Sequence, residues 1–155
     1  MIKFKDILEN KILVPRKLDT RKEDQKRIIL QKIQQYIKDG SKGNLDLSNT
    51  PITSLPDNLK TVGGNLYLND TSITSLPDNL TVRGDLDLYN TKIISLPDNL
   101  TVRGDLDLEN TPITSLPNNL TVGGYLDLAD TPISKKYSKE EIKKMVPGVK
   151  GELYL

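Results

Sequence analysis

The chain has 155 residues, enough for one domain with a sizeable core. It contains no cysteine and no histidine, which excludes disulfides, thiol nucleophiles, thiolate or imidazole metal sites and Ser-His-Asp catalysis. The net charge of +1 conceals a partition: residues 1–42 hold 12 Lys and Arg against 6 Asp and Glu, residues 43–133 hold 4 against 12, and residues 134–155 hold 6 against 3.

The first ten residues carry charges where a secretory signal would be apolar, and no apolar run approaches the ~20 residues that span a bilayer. We expect a cytoplasmic protein with no membrane contact. The start MIKFKDILE resembles the short N-terminal targeting peptides of proteins packed inside the heads of large tailed phages, which are cut after an I/L-x-E tripeptide, here Ile7-Leu8-Glu9. That resemblance implies delivery into a bacterial host and an anti-defence role. The interpretation that we favour for these residues is an amphipathic turn that packs Ile2, Phe4, Ile7 and Leu8 on the cap.

A helix is predicted from about residue 20 to residue 38. Thr20 and Glu23 form a capping box, and Gly40 is a C-terminal stop. The apolar stripe of the helix consists of Ile29, Ile33, Tyr36 and Ile37. We expect residues 1–42 to be a helical cap on the repeats that follow, with basic residues toward solvent: Arg21, Lys22, Lys26, Arg27 and Lys32. Nucleic-acid binding by that basic face is an alternative function.

Residues 43–133 repeat a unit of about 20 residues. The copies begin at Gly43, Gly64, Gly84, Gly104 and Gly124, and a degenerate sixth start lies at 149–155. One unit cannot bury its own apolar residues, but stacked copies can, at ~1.5–3 kcal/mol per fully buried aliphatic side chain. The invariant apolar positions of the third copy are Leu86, Leu88, Ile93, Leu96, Leu100 and Val102. We therefore predict an α+β repeat fold in which five coils form a solenoid around one continuous core.

Each L-x-L segment alternates with period two, which predicts one short parallel strand per coil with Leu86 and Leu88 inward. Pro97 disfavours an α-helix on the return side of the coil. Two polar columns follow the strand and are interpreted as turn chemistry without catalytic weight. They are Asn49, Asp70, Asn90, Asn110 and Asp130, then Thr50, Thr71, Thr91, Thr111 and Thr131.

The pattern L-x-L-x-x-T-x-I-x-x-L-P across 43–133 resembles the leucine-rich repeat, and is most similar to the short bacterial L-P type of secreted effectors. It departs from that family in two respects: Thr replaces the usual Asn, and five residues instead of two separate Leu100 from Leu106. These departures favour a divergent leucine-rich-repeat-like or β-solenoid class found in bacterial and phage genomes. The resemblance implies ligand binding by the strand face, without naming the ligand.

The outward strand positions carry the candidate partner-binding residues. These are Asp46, Tyr67, Asp85, Asp87, Tyr89, Asp105, Asp107, Glu109, Tyr125 and Asp127. Stacked strands lie ~4.8 Å apart, so the carboxylates repel one another, and Arg83 and Arg103 are expected to relieve some of this repulsion. We expect the face to bind a basic protein surface, with the tyrosines as anchors. The alternative is that acidic residues only keep the protein soluble.

Catalysis and metal binding are not expected at this face. Hydrolysis by paired carboxylates needs two acids with opposed pKa values in a cleft, whereas these acids repeat on an open surface. Flat strands also lack the wrapping loop of a Ca²⁺ site. We therefore predict no enzyme activity, no catalytic residues, no metal site and no cofactor.

Residues 134–155 are predicted to form a C-terminal cap, with a helix of about 138–145 opened by Ser138 and Glu141 and a last strand in E-L-Y-L. Two further functions stay open. Regularly spaced carboxylates could imitate phosphates and inhibit a nucleic-acid-binding enzyme, and the basic ends could bind the acidic middle of another copy.

Overall fold

The computed structural model describes residues 20–155. The predicted tripeptide Ile7-Leu8-Glu9 and the alternative packing of Ile2 and Phe4 lie outside the described residues. The elements, in chain order, are α1 (Thr20–Lys38), β1 (Leu45–Asp46), β2 (Thr61–Val62), β3 (Leu66–Tyr67), β4 (Thr81–Val82), β5 (Leu86–Asp87), β6 (Thr101–Val102), β7 (Leu106–Asp107), β8 (Thr121–Val122), β9 (Leu126–Asp127), α2 (Pro132–Lys136), α3 (Lys139–Met145) and β10 (Leu153–Tyr154).

Helix α1 covers the first coil, as predicted. Ile33 is fully buried against the repeats, and Gly40 ends the helix with a φ of +84°, a conformation that suits glycine. The Tyr36 hydroxyl donates to the carbonyl of Gly43 at 2.8 Å, and Lys32 Nζ donates to the carbonyl of Asp46. The side chains of Thr20 and Lys22 lie outside the description, so the predicted capping box stays a prediction.

The L-x-L segments form a six-stranded parallel sheet in the order β1-β3-β5-β7-β9-β10. Their first leucines are in register from coil to coil and at most 3% exposed: Leu45, Leu66, Leu86, Leu106, Leu126 and Leu153. The chain is a parallel β-solenoid of about four turns with one continuous apolar core. This confirms the predicted fold class, and the degenerate sixth start at 149–155 supplies β10.

A second parallel sheet, which the sequence analysis does not predict, has the order β2-β4-β6-β8. Its strands are Thr-Val pairs in which the valine is buried. The five residues between Leu100 and Leu106 hold β6 and a corner at Gly104. A Cβ atom on Gly104 would lie 2.9 Å from the backbone of Gly84 in the preceding coil. Glycine therefore lets successive corners stack closely.

The predicted turn columns are confirmed. Each threonine hydroxyl donates to the carbonyl of the second strand leucine, at 2.6–2.8 Å from Thr50, Thr71, Thr91, Thr111 and Thr131. The preceding Asn or Asp has a φ of +54° to +57° in every coil, a conformation that these two residue types tolerate better than most.

The C-terminal cap begins with α2, a five-residue helix that was not predicted. Thr131 is its N-cap, and Pro132 is its first residue. Helix α3 follows with the predicted capping box of Ser138 and Glu141. Ile142 on α3 is fully buried and extends the core beyond the last full coil. No helix in the described part is long and apolar enough to cross a membrane.

Candidate partner-binding face

The ten predicted site residues all lie on the outer surface of the six-stranded sheet, here called the strand face. They occupy three columns that run across the strands. Column one is Asn44, Asn65, Asp85, Asp105 and Tyr125, and column two is Asp46, Tyr67, Asp87, Asp107 and Asp127. Column three is Ser48, Asn69, Tyr89, Glu109 and Ala129. Strand β10 adds Glu152 to column one and Tyr154 to column two.

Column one is a hydrogen-bonded ladder. The side-chain oxygen of each residue accepts from the backbone N–H of the next: Asn44 from Asn65 at 2.9 Å, Asn65 from Asp85 at 3.0 Å, Asp85 from Asp105 at 2.9 Å, and Asp105 from Tyr125 at 2.9 Å. These side chains thereby satisfy N–H groups at the coil corner. Sequence reasoning missed this structural role, although the restriction of the column to Asn and Asp in four coils was the available signal.

Column two uses its carboxylates differently. The Oδ1 atom of each aspartate accepts the backbone N–H two residues later: Asp46 from Ser48 at 3.0 Å, Asp87 from Tyr89 at 3.0 Å, Asp107 from Glu109 at 2.9 Å, and Asp127 from Ala129 at 2.9 Å. This bond fixes each carboxylate at the end of its strand. Asp87, Asp107 and Asp127 are direct register neighbours, and are called the acidic column below.

The acidic column is electrostatically strained at its centre. Partial burial raises the pKa of Asp107 to about 6, the Glu109 N–H opposes the shift, and the charges of Asp87, Asp127 and Glu109 add to it. Burial also raises the pKa of Asp87, with a further contribution from the charge of Asp70. Deprotonation is thus disfavoured because these carboxylates are partly desolvated and adjacent to like charges.

The first coil shows the opposite effect. Hydrogen bonds from the Ser48 hydroxyl and N–H lower the pKa of Asp46, and the Lys32 ammonium contributes to the same shift. Lys32 comes from helix α1, so the cap supplies a cation to this end of column two. Among the described residues, no cation contributes to the pKa shifts of Asp87 and Asp107 at the centre of the face.

Within residues 20–155, no ion pair lies in the middle of the strand face. Within residues 20–155 the ion pairs are Lys26–Glu23, Arg27–Asp24 and Lys139–Glu152. Only the last touches the face, at its C-terminal end. Arg83 and Arg103, which were expected to relieve repulsion, form no ion pair in the described part of the chain. Any relief that they provide acts over a longer distance.

The three tyrosines of the predicted site differ in accessibility. Tyr67 is half-buried, and its hydroxyl accepts from Asn65 Nδ2 at 2.8 Å. Tyr89 and Tyr125 are 37% and 38% exposed. The rings of Tyr125 and Tyr154 pack edge to face at a centroid distance of 5.5 Å. Tyr154 was not among the residues predicted for this face.

The arrangement provides fixed oxygen acceptors, negative charge and two exposed aromatic rings on an open surface. Among the described residues, no three acidic side chains are grouped so that they could hold a metal ion. No protein-family model matches the chain, and no curated protein or solved structure matches it either.

Proposed function

We propose that the protein is an interaction module whose strand face binds a protein partner with a basic surface. The observation that carries this proposal is that the strand face has more negative charge than its hydrogen bonds require. Asn44 and Asn65 accept the ladder hydrogen bonds of column one as neutral amides. Asp85 and Asp105 accept equivalent bonds as acids. The bonds alone therefore do not require a carboxylate in the middle coils.

A basic partner would relieve the cost of this charge. The carboxylates of the acidic column are already positioned by bonds to the backbone, so few rotamers would be lost on binding. A lysine or arginine placed over Asp107 would favour its charged form, which partial burial and the neighbouring negative charges disfavour. Tyr89 and Tyr125 flank the column as exposed rings of the kind enriched at interfaces.

A solubilising role alone explains the acidic column less well than partner binding does. The repeats already carry exposed acids on their opposite side, in the S-L-P-D turns, at Asp57, Asp78 and Asp98. Those positions give charge to the surface at little desolvation cost. The acidic column, in contrast, places its carboxylates among like charges in a partly buried setting, which destabilises the unbound protein.

Nucleic-acid mimicry is a second candidate, favoured by the regular recurrence of one carboxylate per coil in the acidic column. Competition by duplex DNA for a captured partner would separate it from general protein binding. Nucleic-acid binding by α1 has weaker support, because Lys26 and Arg27 pair with acids of their own helix and Lys32 contacts the Asp46 carbonyl.

The repeat pattern and its two departures support assignment to a divergent leucine-rich-repeat-like class of bacterial or phage origin. In that setting we propose that the protein acts in the bacterial cytoplasm, against a host defence factor or another host protein. Affinity capture from the native host with the full chain would identify the partner.

The test compares two triple variants with equal changes in net charge. D87N/D107N/D127N removes the charge of the acidic column but keeps its amide oxygens as acceptors. D57N/D78N/D98N removes three exposed acids on the opposite side. A decalysine peptide titrated at low salt should bind the first variant about tenfold more weakly than wild type and bind the second nearly as wild type. Equal weakening of both variants, or of neither, would contradict binding at the strand face.

A further inference from the structure

The edge of the second sheet that adjoins column one carries positive charge. Arg83 and Arg103 directly follow strands β4 and β6, and their N–H groups donate to the carbonyls of Val62 and Val82, both at 2.9 Å. The two arginines therefore occupy the same position in successive coils, about 4.8 Å apart. Alternation with the buried valines turns their side chains outward, and both residues are exposed.

The same column has no acid in the two coils that follow. Gly123 comes next and Lys150 after it, and their N–H groups donate to the buried valines of the preceding coils at 2.9 Å. A Cβ atom on Gly123 would collide with the Arg103 carbonyl oxygen, so the close stacking of the coils disfavours a side chain there. Arg83, Arg103 and Lys150 are called the basic column below.

The basic column is not neutralised from within the described part of the chain. The three ion pairs between residues 20 and 155 involve other cations. The acids two residues beyond the arginines, Asp85 and Asp105, use their Oδ1 atoms in the ladder of column one. Like charges on adjacent strands are destabilising, so the two arginines reduce the stability of the unbound protein.

Threonine hydroxyls extend this surface with further hydrogen-bond donors. Thr81 and Thr101 occupy the outward positions of β4 and β6, two residues before the arginines. The threonine hydroxyls that donate hydrogen bonds within the described residues all belong to the turn column, so those of Thr81 and Thr101 are available to a ligand. Two guanidinium groups beside two hydroxyls suit a ligand that brings several carboxylate oxygens.

We propose that the basic column binds an acidic segment of a partner protein, with Asp or Glu side chains of that segment paired to Arg83 and Arg103. A guanidinium group can hold a carboxylate through two parallel hydrogen bonds. An extended segment with acids at alternate residues presents all its carboxylates on one side, and it can turn them toward the basic column and away from Asp85 and Asp105. This contact is separate from the one proposed for the strand face.

A nucleic-acid strand fits the same surface less well. Its negative charge recurs at every nucleotide, and part of it would face the acids of column one, Asp85 and Asp105. Binding of single strands also uses aromatic rings on which bases stack, and strands β4 and β6 consist of threonine and valine.

The test titrates the full chain at low salt with the acetylated peptide Glu-Ser-Glu-Ser-Glu-Ser and with its analogue in which glutamine replaces glutamate. The glutamate peptide should bind and shift the amide resonances of Thr81, Arg83, Thr101 and Arg103. The glutamine peptide should bind about tenfold more weakly. R83Q/R103Q should lose about the same factor for the glutamate peptide, whereas K135Q/K144Q, which removes equal charge from the C-terminal cap, should bind almost as wild type.

Two further variants separate the possible causes of binding. R83K/R103K keeps the charge but not the paired hydrogen bonds, and should bind the glutamate peptide about threefold more weakly; an unchanged affinity would contradict the bidentate contact. D87N/D107N/D127N should bind this peptide at least as tightly as wild type does, so this proposal and the one for the strand face can fail separately. The proposal fails if R83Q/R103Q and K135Q/K144Q weaken binding equally, if the amide shifts lie elsewhere, or if a thymidine decanucleotide binds the same residues more tightly than the glutamate peptide.

Discussion

The Oδ1 atom of Asp85 accepts a hydrogen bond from the backbone N–H of Asp105 at 2.9 Å, across the gap between two coils. A side chain on one coil thereby satisfies the main chain of the next. The bond needs an acceptor of this length and not a negative charge. Acidic residues in column one accordingly serve the fold through their oxygen atoms, and their charge is available for other uses.

Asp85→Ala should lower the free energy of unfolding by about 1–3 kcal/mol, because it leaves the Asp105 N–H without its partner. Asp85→Asn keeps the acceptor and should change stability by less than ~0.5 kcal/mol. Urea unfolding of both variants checks this, with Asp98→Ala on the exposed turn as a control. Equal destabilisation by alanine and asparagine would show that charge, and not the ladder, matters.

Ile93→Ala should destabilise the protein by about 2–5 kcal/mol, because Ile93 is fully buried and its truncation leaves a cavity in the core. The next residue provides a matched control, because Ile94 is 59% exposed. Ile94→Ala should cost less than ~0.5 kcal/mol. Thermal unfolding of the pair measures the difference, and similar losses would contradict the placement of the core.

Thr91→Val should cost about 1–2 kcal/mol, because the buried hydroxyl donates to the Leu88 carbonyl at 2.8 Å in the turn that leaves β5. Thr81→Val is the control, since Thr81 occupies the outward position of β4 and valine suits a strand. Urea unfolding should show a loss for the first variant only. A neutral Thr91→Val would mean that the turn does not depend on this bond.

The stability of the protein should fall as the pH rises through the titration of Asp107. The pKa of this carboxyl is raised from 3.8 to about 6 on folding, so the folded state binds its proton more tightly than the unfolded state does. The stabilisation is complete below pH ~4 and lost by pH ~6. At pH 7, Asp107→Asn should therefore be more stable than wild type by about 1 kcal/mol, discounted for solvent screening.

Unfolding curves at several pH values, with NMR titration of the Asp107 carboxyl, check this relationship. The advantage of Asp107→Asn should vanish near pH 4, where the wild-type carboxyl is protonated. A midpoint at or below 4 for Asp107 would contradict it. Asp98→Asn, on the opposite side of the coil, should leave the pH dependence unchanged.

The sequence predicted those features that depend on local pattern. The bounds of α1 follow from Gly40 and an apolar stripe, and the six-stranded sheet follows from leucines two residues apart in every unit. The second sheet did not emerge because a Thr-Val pair, such as Thr61–Val62, is too short to show a period. Helix α2 was missed for a similar reason, since five residues give no helical repeat.

The positions of the candidate site residues were predicted from the sequence, but their hydrogen-bond partners were not. Alternation places Asp87 and Asp107 on the outer surface, and the structure has them there. Which atoms their carboxylates bind depends on the local backbone turn, and for column one on the register between coils, neither of which is contained in a linear pattern. The Tyr125–Tyr154 contact likewise required knowing that β10 lies beside β9 in the sheet although 25 residues separate the two strands in the sequence.

The close stacking of the corner glycines would allow whole coils to be added to the solenoid. Gly104 stacks directly on Gly84, and within residues 20–155 each coil hydrogen-bonds to the coils on either side of it. Duplication of residues 84–103 would therefore insert a turn without altering the existing ones. Each duplication would also add one more aspartate to column two. Successive duplications would therefore lengthen the acidic column by one aspartate at a time and leave both caps unchanged.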